Sequence, residues 1–69
     1  MEVRVLLPLG GEKKVSLPGS SAVVRDVLLA AGLDISHVGA VVRSSRILSM
    51  EDEVHHGEVL AVLPPLDGG

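Results

Sequence analysis

The stretch LPGSSAVVRDVLLAAGL, residues 17–33, has the periodicity of an α-helix, and the segments on either side of it have the patterns of β-strands. Its apolar residues recur at i, i+3, i+4 and i+7, the spacing of one helix face; they are Val24, Val27, Leu28 and Ala31. Ser20 or Ser21 is the expected N-cap. Gly32 supplies the left-handed residue that commonly ends a helix. The stretch therefore predicts one short amphipathic helix.

The sequence before this helix predicts a β-hairpin. Apolar residues alternate with others through residues 2–7 and again through residues 14–17, which is the period of a β-strand. Pro8 ends the first run, and Gly10 and Gly11 supply the positive φ angles of a tight reversal. The two runs are thus expected to pair.

Three apolar segments follow the helix. Residues 38–43 are rich in β-branched side chains and predict a strand, and residues 47–48 predict a short one after the polar break at residues 44–45. Residues 49–56 are expected to form a polar, acidic loop. The run Val59–Leu63 is apolar at every position, which predicts a central strand with one face covered by the helix and the other covered, at least part of the time, by something else.

The order of these elements predicts an α+β fold. A hairpin, a helix and three further strands leave few topologies, because a crossover over one sheet face must be right-handed. The β-grasp fold satisfies this rule, with a mixed four- to five-stranded sheet and one main helix packed on one face. We expect a β-grasp domain over residues 1–63 and an extended, flexible C-terminal tail over residues 64–69.

The composition narrows the possible functions. A chain of 69 residues has room for one domain, and the absence of Phe, Tyr and Trp predicts a core of aliphatic side chains. With no cysteine, a disulfide and a thiolate metal site are excluded, which favours a reducing, cytoplasmic setting.

The net charge of −3, with scattered basic residues, argues against a nucleic-acid partner. The apolar runs fall far short of the ~20 residues of a membrane helix, and we expect a monomer when the protein is free.

The tail carries the functional prediction. It consists of Pro64, Pro65, Leu66, Asp67, Gly68 and Gly69. The two prolines cannot donate to a sheet ladder and favour an extended backbone, so the last strand must stop and the chain must leave the domain. Six residues at ~3.3 Å each reach roughly 20 Å, far enough to enter another protein's active site.

The chemistry of such a tail lies in its terminal carboxylate. An α-carboxylate is ionised above pH ~3.7 and is a poor electrophile, so it must be adenylated with ATP before a nucleophile attacks it. A nucleotide-using partner enzyme is therefore implied. Gly68 and Gly69 lack side chains, which lets them pass a narrow channel and leaves the carbonyl open to close approach.

Two segments of the chain resemble a known superfamily. The sequence AVLPPLDGG at residues 61–69 resembles the end of the small subunit of molybdopterin synthase. The passage from residues 17–21 through the helix to residues 32–34 looks like that of the thiamine-pathway sulfur carrier. The chain is thus similar to the ubiquitin-like β-grasp sulfur carriers, which have archaeal ubiquitin-like modifiers among their relatives. It departs from them at residues 44–45, where Asn-Gly is frequent, and at residues 56–57, where Asp-Gly is frequent.

This resemblance implies a carrier rather than an enzyme. Gly69, with Gly68 as spacer, would be adenylated by an activating enzyme and converted to a thiocarboxylate. That group would donate sulfur to a biosynthetic enzyme in molybdopterin, thiamine or tRNA thiolation pathways, and the chain would be a co-substrate or a small non-catalytic synthase subunit. Two alternatives remain: a modifier joined through Gly69 to target-protein lysines, and a β-grasp interaction domain that is never conjugated.

The resemblance also implies a partner-binding patch on the sheet face away from the helix. The expected residues are Val42, Ala61 and Leu63, with Arg43 and Arg46 as rim contacts to an acidic partner. Leu60 and Val62 would point inward.

Two other features invite a catalytic or metal-binding interpretation. His55 and His56 are adjacent, so in an extended segment they point to opposite faces, and no clear third ligand accompanies them. The acidic residues 51–53 are typical of a solvated loop. We expect no bound cofactor, no metal site and no catalytic residue in this chain, with ATP used by the partner.

Overall fold

The computed structural model describes residues 1–66, which form seven short strands, one α-helix and one 3₁₀ helix. The strands are β1 (Glu2–Leu6), β2 (Glu12–Ser16), β3 (Ser21–Val23), β4 (Ala40–Arg43), β5 (Arg46–Leu48), β6 (Glu53–His55) and β7 (Val59–Leu63). The helix α1 spans Val24–Ala30 and the 3₁₀ helix spans Ile35–His37. Within residues 1–66, neither helix has the length and apolar character needed to cross a membrane.

Five of the strands form one mixed sheet, and β7 is its central strand. The order is β2-β1-β7-β4-β5, with β1 and β7 parallel and the other neighbours antiparallel. Val5 lies opposite Leu60, and Val41 lies opposite Val62. The predicted α+β fold, a β-grasp with a five-stranded mixed sheet and one main helix, is confirmed.

The core lies between this sheet and α1 and is aliphatic, as the composition predicts. Its buried members are Val3, Val5, Val15, Val24, Val27, Leu28, Ala31, Val41, Val54, Leu60 and Val62. Burying one valine or leucine side chain stabilises a fold by about 1.5–3 kcal/mol. Because the domain is small, each of these side chains accounts for a large part of its stability.

The helix begins without a side-chain cap. The prediction of a cap at Ser20 or Ser21 is wrong, since Val23 is the N-cap residue and makes no side-chain bond. The first two helical N–H groups instead donate to the carbonyl oxygens of Asp52 and Met50, at 3.0 Å each. A segment distant in sequence thus supplies the acceptors that a serine would otherwise provide.

The helix is stopped by Gly32, as predicted: α1 ends at Ala30, Ala31 is its C-cap and Gly32 follows. This glycine has a φ angle of +80°, and its N–H donates to the carbonyl of Leu29 at 3.0 Å. The N–H of Leu33 donates to the carbonyl of Leu28 at 3.1 Å. These two bonds define a Schellman motif, and Leu33 packs against the core.

A second, two-stranded sheet corrects the prediction for residues 49–56. That segment is not only a loop, because β6 lies within it and pairs antiparallel with β3. Val54 in β6 is fully buried opposite Ala22. The strands predicted on either side of residues 44–45 are confirmed as β4 and β5, and they pair as a hairpin. β4 begins at Ala40 because the two residues before it connect the 3₁₀ helix to the sheet.

Candidate functional site

The root of the predicted tail leaves the domain at the end of the central strand. β7 ends at Leu63, and residues 64–66 follow it without regular secondary structure and with exposed side chains. We call residues 64–66 the tail root. Asp67, Gly68 and Gly69 lie outside the described residues, so the roles assigned to them stay predictions.

The structure places Val42, Ala61 and Leu63 on the sheet face opposite α1. Val42 pairs with Ala61 across β4 and β7, and these side chains are half-buried or exposed. Their neighbours along β7, Leu60 and Val62, are buried under the helix as predicted.

This face contains three further apolar residues that the sequence analysis missed. Leu6 pairs with Ala61, Val59 follows the same alternation in β7, and Ile47 pairs with Val42. Ile47 is 76% exposed. Leu6 could have been found, because it breaks the alternation of β1 by placing an apolar side chain on the outer face. We call this set the outer apolar face: Leu6, Val42, Ile47, Val59, Ala61 and Leu63.

The two arginines predicted at the rim differ in their contacts and in their exposure. Arg43 is partly buried, and its guanidinium donates to the carbonyl of Glu53 at 2.7 Å and to the carboxylate of Glu58 at 3.1 Å. Arg46 lies directly opposite Arg43 across the β4–β5 hairpin and is exposed. Arg43 therefore ties β4 to the segment before β7, and Arg46 is the more accessible cation.

A charged strip borders the outer apolar face along β1 and β2. Arg4 Nε donates to Glu12 Oε2 at 2.6 Å, and this bond lowers the pKa of the Glu12 carboxyl and raises the pKa of the Arg4 guanidinium. Lys14 lies opposite Arg4 on the same face. Because these groups are exposed, the pair adds little to stability. These charged side chains mark one edge of the outer apolar face.

The two adjacent histidines lie among other polar partners. His55 Nε2 is 3.4 Å from a Glu53 carboxylate oxygen, and His56 Nδ1 accepts a hydrogen bond from the Glu2 N–H at 2.9 Å. Across the part of the chain that the structure describes, no group of three or more possible metal ligands comes together.

Comparison with known proteins identifies the family. No family model matches the chain. The chain is 39% identical over 67 residues to the sulfur carrier protein TtuB of Thermus thermophilus, and the match covers 97% of this chain and 100% of TtuB. Together with the β-grasp fold, this identity over nearly the whole length shows that the chain belongs to the ubiquitin-like β-grasp sulfur carrier proteins.

Proposed function

We propose that this chain is a sulfur carrier whose Gly69 carboxylate is the working group. The observation that supports this most directly is the full-length similarity to a protein named as a sulfur carrier. The Pro-Pro-Leu-Asp-Gly-Gly ending is consistent with that role. In this proposal the chain is a protein co-substrate, and the catalytic groups belong to its partners.

The chemistry proceeds in two transfers. A Gly69 carboxylate oxygen attacks the α-phosphorus of ATP in the activating enzyme, forming an acyl adenylate and releasing pyrophosphate. A sulfide nucleophile then attacks the carbonyl carbon, AMP leaves, and a thiocarboxylate remains. The thiocarboxylate passes its sulfur to a biosynthetic enzyme of a molybdopterin, thiamine or tRNA thiolation pathway.

The geometry of the tail root supports this role. β7 pairs with β1 as far as Ala61 and with β4 as far as Leu63, and the prolines that follow cannot continue the ladder. Their restricted backbone favours an extended chain. A rigid strand followed by a stiff segment reduces the entropy lost when a partner takes up the tail.

We further propose that the outer apolar face docks the activating enzyme. Leu63 belongs to this face and directly precedes the tail root, and 45% of its surface is exposed. Docking and tail insertion would therefore use one continuous surface. Arg46 alternates with Ile47 in the edge strand β5 and is not on the outer apolar face itself. It would contact an acidic group around this edge of the sheet, because the charge of Arg43 is already paired with Glu58.

The test is ATP–pyrophosphate exchange catalysed by the activating enzyme of the same organism. The complete chain should support exchange, and a chain lacking Gly68 and Gly69 should not, because its terminal carboxylate then belongs to Asp67. That carboxylate lies two residues, or roughly 7 Å of extended chain, short of the Gly69 position and is flanked by a side chain. Equal exchange with both chains would contradict the proposal. Stable adducts between Gly69 and protein lysines, formed in place of a thiocarboxylate, would favour the modifier alternative.

A further inference from the structure

Gly39 lies between the 3₁₀ helix and β4, and the backbone conformation there does not require glycine. Five other glycines of the described chain have φ angles between +80° and +94°, whereas Gly39 is outside that left-handed region. Its φ angle therefore does not itself call for glycine. The reason for a glycine must therefore lie in its surroundings.

The surroundings of Gly39 are the backbone of the tail root. A Cβ atom added to Gly39 would lie 2.6 Å from the carbonyl carbon of Pro64 and 2.6 Å from the Cα of Pro65, and closer still to the Pro64 carbonyl oxygen. Real Cβ atoms essentially never approach within 3.0 Å of such atoms. At Gly10 and Gly57 the same added atom meets nothing within 4 Å. At Gly39, then, the tail root occupies the space of the missing side chain.

A hydrogen bond holds the two segments together at this crossing. The Gly39 N–H donates to the carbonyl oxygen of Leu63 at 2.9 Å, next to the register pair of Ala40 and Leu63. Pro64 and Pro65 have no N–H with which to extend the ladder. The contact at Gly39 is thus placed where the chain changes from a paired strand to an unpaired tail.

We propose that Gly39 is a positioning residue for the C-terminal tail. Because it has no side chain, the backbone of Pro64 and Pro65 lies across the start of β4, and this crossing sets the direction in which the tail leaves the domain. Proline fixes its own φ angle, so a direction set at the crossing is carried on to Leu66. The inference rests on the proposed function, in which this tail enters the activating enzyme.

A substitution at Gly39 should have a large effect on pyrophosphate exchange, because a small rotation of the tail root moves the residues beyond it by a larger distance. Three extended residues span about 10 Å, so turning the root by about 20° displaces Leu66 by roughly 3 Å. Misplacing a reacting group by about 1 Å can lower a rate by about 100-fold. An enzyme that must redirect the tail loses part of the binding energy, so the loss should appear mainly as a higher KM.

The variant that tests this is Gly39→Ala in the complete chain, with His37→Ala, two residues earlier, as the control. Gly39→Ala should change the NMR signals of residues 63–66 and leave those of the β1–β2 hairpin in place. Its kcat/KM in pyrophosphate exchange should fall by about tenfold or more, with KM carrying most of the loss. The His37 side chain is 80% exposed, so His37→Ala should keep both the tail signals and the wild-type KM.

A second measurement does not depend on how the variant folds. The wild-type chain should show a nuclear Overhauser effect between the Gly39 and Pro65 Hα protons, and its absence would overturn the inference. Wild-type KM and wild-type tail signals in Gly39→Ala would overturn it too. If the wild-type chain itself is not adenylated, the proposed function fails, while the Gly39–Pro65 contact still decides whether Gly39 positions the tail.

Discussion

Ser44 and Ser45 form the two-residue turn between β4 and β5, and both have positive φ angles, of 51° and 68°. Such angles are costly for residues with a Cβ atom, which is why Asn-Gly is preferred in turns of this kind. Replacing Ser45 with glycine should raise the free energy of unfolding by about 0.5–1 kcal/mol. Urea denaturation measures the change.

The control for this prediction is the same substitution in an extended strand. Ser16→Gly in β2 should lower the free energy of unfolding by about 0.5–1 kcal/mol, because glycine weakens a strand. Changes of the same sign in both variants would show that the turn is not strained.

Asp34 caps the 3₁₀ helix and gives the domain a stability that depends on pH. Its Oδ1 accepts hydrogen bonds from the Ser36 hydroxyl at 2.7 Å and from the Ser36 N–H at 3.0 Å, and these hold the pKa of the Asp34 carboxyl below its usual range. Because the folded-state pKa lies below the unfolded value of ~3.9, the stabilisation is complete above that value. It is lost as the pH falls through the folded-state pKa.

Asp34→Ala should therefore lower the free energy of unfolding at pH 7, and its difference from wild type should shrink at pH values below ~4. Denaturation at several pH values measures this difference. In Ser36→Ala, NMR titration should find the pKa of Asp34 closer to its usual value, because the hydroxyl donor is gone. A difference between Asp34→Ala and wild type that does not vary with pH would refute this account.

At the scale of elements, the small sheet of β3 and β6 anchors the start of α1. It places Val54 in the core and brings the carbonyls of Met50 and Asp52 to the first turn of the helix. Val54→Ala should lower the free energy of unfolding by about 2 kcal/mol, because it leaves a cavity under a fully buried side chain.

Val59→Ala is the matched control, since the same two methyl groups are removed from a side chain that is 36% exposed on the outer face. Its cost should stay below about 1 kcal/mol. A larger loss of unfolding free energy in Val59→Ala than in Val54→Ala would contradict the placement of β6 in the core. Thermal denaturation of the two variants settles the order.

The elements found from sequence are those whose signal is local. The spacing of Val24, Val27 and Leu28 and the apolar run of β7 each contain a full period or more. Strands β3 and β6 have three residues each, too few for alternation to show. The helix N-terminus and the internal bonds of Arg43 depend on segments distant in sequence, so no local pattern predicts them.

The candidate site likewise has one part that local sequence predicts and another part that depends on tertiary contacts. The tail chemistry follows from the residue types at positions 64–69, and the inward placement of Leu60 and Val62 follows from strand alternation. The contact between Gly39 and the backbone of the tail root is tertiary, so no local sequence pattern predicts it. The addition of Leu6 and Ile47 to the outer apolar face likewise depends on strand pairing.

At the scale of the whole molecule, the sheet has one face buried by α1 and one face that is apolar and open. Leu63→Glu introduces a charge into the outer apolar face, which should raise the KM for the activating enzyme by about tenfold, equivalent to ~1.4 kcal/mol of binding. The kcat should change little. Pyrophosphate exchange at varied carrier concentration separates the two constants.

Lys14→Glu is the matched control for this substitution. It places the same new side chain on the same sheet face but in the charged strip of β2. Its KM should stay close to that of wild type. Equal increases in KM for the two variants would show that charge on the sheet, rather than apolar docking, governs recognition.

The intact mass of the protein purified from its own cells tests whether Gly69 carries sulfur. We expect a fraction heavier by the difference between one sulfur and one oxygen atom, with the change located at Gly69 by fragmentation. A chain lacking Gly68 and Gly69 should show no such species. Protein that is unmodified at Gly69 in cells actively making sulfur-containing cofactors or thiolated tRNA would contradict the account.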